Sequence, residues 1–387
     1  MSSSSVVGLR AGLQPLWFIA PLAAMTYPLP LIAFHSAIEA ARAAGGGLAL
    51  AAAALSLAAA FAAPAIALVC ATRLLRIESP SDAELRARRI ALLAVAAPPI
   101  FTAVGDDIYM LGNPVPDVAA LAAFWAAMIA IIAAGGREAP PQSVPRSAPA
   151  WLRAAHGAVA SMLLVFVAAH LSNHLAGLVG PDAHRSLMKT LRHIYRAPVV
   201  EPILVAGFLF MVGSGGWLAW IHSARRADGF RAFQLASGAF LLVFVTNHFN
   251  GVILLARIHL GIDSDWSFAS GAPHGLIEDA WNIRLVPDYT LAVFFALAHP
   301  FAGLRVVLQS HGLRKGLADG VAVWGAALAG LLAIGIVLGL CGLRLRFEQE
   351  QGSGVSKPAF LAPSSGTGST PRAVPRDRPF APLAPFG

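Results

Sequence analysis

Residues 162–180 read MLLVFVAAHLSNHLAGLVG. About 20 apolar residues at ~1.5 Å each are needed to cross roughly 30 Å of hydrocarbon, and this run supplies them. It nevertheless carries His170, Ser172, Asn173 and His174 where a lipid-facing helix would carry leucine or valine. Polar and ionisable side chains at membrane depth cost free energy unless they are neutral and partnered, so they mark functional positions. The stretch therefore reads as a membrane helix built around two histidines four positions apart.

The rest of the chain has the same character. Of 387 residues, 57% are hydrophobic and 12% charged, with a mean hydropathy of +0.67, far from the profile of a soluble domain. Apolar runs fall at about 14–36, 47–71, 90–111, 117–134, 154–179, 200–222, 232–257, 288–308 and 319–342. The expectation is an all-α integral membrane protein of about nine transmembrane helices. The first run contains Pro21, Pro28 and Pro30 and has no small-residue cleavage site, so it reads as a retained helix rather than a signal peptide.

The net charge of +8 comes mainly from arginines in short loops. With the N-terminus cytoplasmic, one side holds Arg73, Arg76, Arg86, Arg88 and Arg89, then Arg137, Arg146 and Arg153, then Arg225, Arg226 and Arg231, then Arg314 and Lys315. That is the positive-inside pattern, as in a bacterial inner membrane, and it assigns no nucleic-acid role. Cys70 and Cys341 are the only cysteines, too few for a disulfide framework or a cysteine metal cluster.

The proline-rich segment 137–150 separates a four-helix region, 1–136, from a five-helix region, 151–344. The tail 345–387 has turn-forming composition without apolar periodicity and is expected to be disordered. Within the second region SNHLAGL (172–178) and TNHFNGV (246–252) echo one another, while the first region offers only Asp106-Asp107, expected to be interfacial or paired within the bundle.

Four histidines, His170, His174, His248 and His299, lie inside the expected helices of the second region. Any one of them could serve in interhelical hydrogen bonding. Together they fit a b-type heme, which needs two neutral imidazoles at matching depth on different helices of an apolar bundle. His170 and His248 lie about eight and nine residues below their helix ends, His174 a turn further out, and His299 slightly deeper. His156, fourteen positions before His170, has no matching partner in the sequence pattern and is set aside. Downstream, Arg185, Lys189, Arg192 and Arg196 form one basic stripe of an amphipathic surface helix over 183–196, with Leu187, Met188 and Leu191 opposite. Heme propionates or lipid headgroups are the anions expected to compensate it.

At these residues a resemblance appears. HLSNHLAGLVG followed by LRHIYRAPVVEPILVAG, with Tyr195, Pro198, Glu201 and Pro202 forming Tyr-x-x-Pro-x-x-Glu-Pro, resembles the membrane cytochrome b superfamily of succinate dehydrogenase and fumarate reductase. Within it, the stretch is similar to the heme-binding membrane regions of some bacterial adenylate cyclases and to a fungal mitochondrial heme-binding family. The resemblance covers about 150–310. It implies axial histidines on four consecutive helices, the first pairing with the third and the second with the fourth: His170 matches the first, His248 the third and His299 the fourth. The second position is Val212. The resemblance thus implies one heme b, with His170 and His248 as iron ligands and with His174, His299, Arg192, Arg196 and Tyr195 around it. The adjacent Gly213, Ser214, Gly215 and Gly216 read as close helix packing.

The expected function is electron transfer between a quinone pool and a partner redox subunit, or heme-based sensing, by a carrier or anchor subunit rather than a complete enzyme. His174 is assigned a hydrogen bond to a propionate or a quinone carbonyl, although the Asn-His echo at 173-174 and 247-248 favours it as ligand. Two rivals use the same histidines. A zinc-dependent intramembrane hydrolase would take His170 and His174 with His248 or Asp106; a proton-coupled transporter would use them as relays.

Overall fold

The computed structural model describes residues 14–136, 147–272 and 275–345. Among these, all regular structure is helical. The first region forms α1 (Leu16–Met25), α2 (Pro28–Ala44), α3 (Gly47–Leu74), α4 (Asp82–Ala94), α5 (Ala97–Met110) and α6 (Asp117–Ala133). The second forms α7 (Ala150–Ala176), α8 (Pro181–Tyr195), α9 (Val200–Ser223) and α10 (Gly229–Phe249), which continues as a π-helical segment, Asn250–His259. The short α11 (Trp266–Ala269), α12 (Leu285–Ser310) and α13 (Lys315–Leu340) complete it.

The protein is an integral membrane protein: seven helical stretches are long and apolar enough to cross a bilayer, or eight if one bent pair counts as a span. All nine apolar runs are helical, but three differ from the sequence expectation. The run at 90–111 is broken into α4 and α5, bent by 73°, because Pro98 and Pro99 remove two donors from the first turn of α5 and disfavour helix before them. The run 117–134 becomes α6 of 17 residues, shorter than the other spans. Pro28 likewise starts a new helix and leaves a break at Thr26-Tyr27.

The expected division at 137–150 is not a division of the core. One cluster of buried residues unites Trp17, Leu74, Phe101 and Trp125 with Leu235, Phe240 and Phe295. The segment 137–146 and the tail beyond Leu345 lie outside the described residues.

Arg88 of α4 ties the two regions together. Its side chain is fully buried. Nε and Nη2 donate to the Leu74 carbonyl at 3.1 and 2.9 Å, and Nη2 donates to Ile77 at 2.8 Å. Nη1 donates to the Ser223 and Arg225 carbonyls at 2.9 and 3.2 Å. One guanidinium thus satisfies carbonyls left open at the C-terminal ends of α3 and α9 and places positive charge where both helix dipoles are negative.

Around the histidines, α7 packs on α9, α9 on α10, α10 on α12 and α12 on α7, closing a four-helix ring. Helix α13 covers α12 through a buried small-residue stripe, Ala318, Ala322, Gly325, Ala329 and Ala333. The close approach needs Gly325, where an added Cβ would meet the Phe301 ring at 2.3–2.6 Å.

Candidate functional site

The structure brings His170 and His248 together from α7 and α10, their ring centres 6.1 Å apart. Each ring is backed by a phenylalanine four residues earlier on its own helix, at the spacing that puts side chains on one helical face. Phe166 stacks on His170 at 5.7 Å and Phe244 on His248 at 5.5 Å. Phe208 of α9 packs edge-on against Phe166, and Tyr195 meets Phe166 from α8 at 5.6 Å. Tyr195 also accepts a hydrogen bond from Arg192 Nε at 3.4 Å.

His174 is 4.8 Å from His170 and 5.3 Å from His184, so it stands between them rather than in ring contact with His248. Its Nδ1 is buried without a hydrogen-bond partner. His184, not singled out in the sequence, is the buried end of this row: it accepts from Asn173 Nδ2 at 3.0 Å and packs on Trp266 at 5.0 Å. Its position four residues before Met188, on the apolar face of α8, is the signal that could have found it. Burial pushes the His184 imidazole down, the Asp265 carboxylate opposes that, and Arg192 and Arg185 add to it, leaving it at about 4.

The Asn-His echo has a structural counterpart. Asn173 and Asn247 are both buried, each with an unpartnered Oδ1.

His299 is not at the depth expected for it. Its Nδ1 bonds Ser237 Oγ at 2.8 Å, and Ser237 precedes His248 by eleven residues, ~16 Å along α10. The expected depth was counted from residue 288, but α12 begins at Leu285 after a 3-10 turn and the facing π-helix runs on to His259. At this deeper level His156 interacts electrostatically with His299 and bonds Ser214 Oγ through Nδ1 at 2.8 Å. Val212 of α9 contributes no ligand there.

The basic stripe of α8 finds most of its compensation inside the chain, contrary to the expectation of an external anion. Arg192 pairs with Asp263 and donates to the Ser264 carbonyl at 2.9 Å, Arg196 lies 3.6 Å from Asp263, and Arg185 pairs with Asp182 at 2.8 Å. Burial would raise the Asp263 carboxyl, but the Arg192 hydrogen bond and the charges of Arg192 and Arg196 hold it below the usual carboxylate range. Glu201 of the Tyr-x-x-Pro-x-x-Glu-Pro element pairs with Arg257 of the π-helix at 2.7 Å. Around Tyr195 three arginines, Arg192, Arg196 and Arg257, meet two carboxylates. The Nε atoms of Arg196 and Arg257 are buried without partners.

These features can be tested against the two metal readings. A metal ligated from opposite sides by imidazoles, with bonds of ~2 Å and about 1 Å more to each ring centre, separates those centres by about 6 Å. The His170–His248 pair matches that spacing, and the orphaned arginine donors suit carboxylates at its edge. For a three-ligand zinc site, among the described residues no group of three His, Cys, Asp or Glu side chains is placed to hold a metal ion. Asp106 in particular faces Gly251 and Arg284, in a separate cluster.

No family model, curated protein or solved structure matches this chain.

Beside His248, on the α5 side of α10, lies a groove of about 670 Å³. Ala103, Leu242 and Val243 make apolar walls, with Asp107, Thr246, Asn247 and Asn250 as its polar groups. Asn250 donates to Asp107 Oδ1 at 2.9 Å.

Proposed function

We propose that this chain is a membrane cytochrome that holds one heme b between His170 and His248 and passes electrons between a quinone pool and a partner redox chain. The observation that carries the reading is the pair of buried imidazoles on separate helices of a four-helix ring, with centres 6.1 Å apart and planes inclined at 72°. When bound, heme supplies one-electron chemistry; the chain supplies ligation, burial and charge. Phe166 and Phe244 fix the ring orientations, Arg196 and Arg257 offer unpartnered donors to propionates, and His174, beside His170, offers its buried Nδ1 as a further polar contact. Such contacts around a ligating histidine tune its basicity and the metal's potential.

The groove between α5 and α10 suits a quinone: apolar walls for the ring and tail, amides and a carboxylate for its oxygens. It is one helix away from His248. The basic residues Arg73, Arg153, Arg225 and Lys315 lie at or between helix ends, and the positive-inside tendency puts them, with the N-terminus, on the cytoplasmic side of a bacterial inner membrane.

The test is an absorption difference spectrum of the purified full-length protein, reduced first with dithionite and then with a quinol. Sharp low-spin b bands with both reductants are expected. No bands would overturn the heme reading; bands with dithionite alone would overturn the quinone step and leave the heme.

A further inference from the structure

On the other side of α10 from the histidines lies a buried polar cluster that heme binding does not use. Asp106 of α5 and Asp288 of α12 are 4% and 1% exposed, and each has an Oδ1 with no hydrogen-bond partner. The Tyr27 hydroxyl, at the break between α1 and α2, is buried and also unpartnered. Thr102 lies against Asp288, and Tyr27 and Tyr289 are within electrostatic reach of it. The π-helix packs beside Asp106: a Cβ at Gly251 would make ordinary contact with Oδ2 at 3.8 Å.

The cationic side chain acting on this cluster is Arg284, itself 2% exposed. It is committed elsewhere. Nη2 donates to Asp117 Oδ2 at 2.7 Å, Nη1 to the Phe101 carbonyl at 3.4 Å and Nε to the Trp281 carbonyl at 3.0 Å. The Arg284–Asp117 pair is neutral, which leaves Asp106 and Asp288 as two acids without a counter-charge of their own. Two buried carboxylates that interact electrostatically cannot both stay ionised in a low-dielectric interior, where an unpaired charge costs far more than protonation.

We propose that Asp106 and Asp288 form a proton-binding site within the membrane domain, sharing at least one exchangeable proton delivered through Asp107. Asp107, the next residue in the chain, is exposed in the groove and held by Asn250. Consecutive side chains of a helix do not face each other, so the transfer runs through water: an O–H bond at the Asp107 carboxyl breaks, one forms at the Asp106 carboxyl, and the water between them gives up one proton as it gains another, with no change in electron count. The site stands on carboxylate geometry and charge balance and does not require that a heme binds.

Infrared difference spectroscopy of the purified protein at neutral pH tests it. A protonated-carboxyl C=O band that shifts on transfer to D2O is expected. Asp106→Asn and Asp288→Asn should each diminish the band, and the double variant should remove it. Asp107→Leu should slow its D2O shift at least tenfold. Absence of the band in the wild-type protein, or its survival in the double variant, overturns the site; an unchanged exchange rate in Asp107→Leu overturns the route. Should Asp288→Asn fail to fold, the wild-type band and Asp106→Asn still decide the matter.

Discussion

Replacing Arg88 with methionine keeps side-chain length and removes the charge and every donor. Five hydrogen bonds to four carbonyls disappear at once, and the carbonyls of Leu74 and Ser223 stay buried at the ends of α3 and α9. Charge-assisted hydrogen bonds contribute roughly 1.5–3 kcal/mol each in isolation, but they act here as one unit and do not add. Leaving a buried acceptor unsatisfied costs about 1–3 kcal/mol, and with more than one carbonyl stranded together a loss of about 3 kcal/mol is expected for Arg88→Met. Arg88→Lys, with three donors in place of five, should recover only part of it. Unfolding in mixed micelles, followed by circular dichroism, measures the difference. A change within about 0.5 kcal/mol would show that the α3 and α9 ends do not depend on this guanidinium, and the argument that Arg88 unites the two regions would fail.

Other outcomes follow from the row of rings. His174→Ala should keep a low-spin b spectrum, since His174 is not in ring contact with His248; a spectrum lost in His174→Ala and kept in His170→Ala would reverse the ligand assignment. The heme-to-protein ratio should be one and unaffected by His299→Ala; a ratio of two that falls to one in His156→Ala would instead assign a second site at the deeper pair. His184 sits at about 4 when folded and near 6.5 when unfolded, so the unfolded state binds the proton more readily. Its contribution is therefore full above pH 6.5 and is lost as pH falls towards 4, by up to about 3 kcal/mol. Thermal scans across that window should show a drop that His184→Gln flattens; parallel profiles would contradict it.

Much of this was legible in the sequence. Apolar length and the absence of strand-like alternation were enough for an all-helical membrane fold. His170 and His248 could be paired by depth because each lies near the same end of a long apolar helix, where an error of a turn in the count still leaves the two rings side by side. His299 was misplaced because its helix starts earlier than the hydropathy run, and the facing helix is lengthened by a π-helical stretch. The break at Val95-Ala96 was in plain view as Pro98-Pro99, yet an apolar average does not register a bend. His184 was hidden by reading α8 only for its basic face. The compensation of Arg192 by Asp263 and of Arg284 by Asp117 joins residues 71 and 167 positions apart, a proximity that no local pattern contains.

The proposed heme site stands or falls with His170 and His248, one on each side of the iron. The heme content of the purified wild-type protein, beside His170→Ala and His248→Ala expressed with ample heme and checked for folding, tests it directly. One heme per wild-type chain and loss of the bis-histidine spectrum in both variants are expected. A wild-type protein free of heme, or variants that keep the wild-type spectrum, would contradict it.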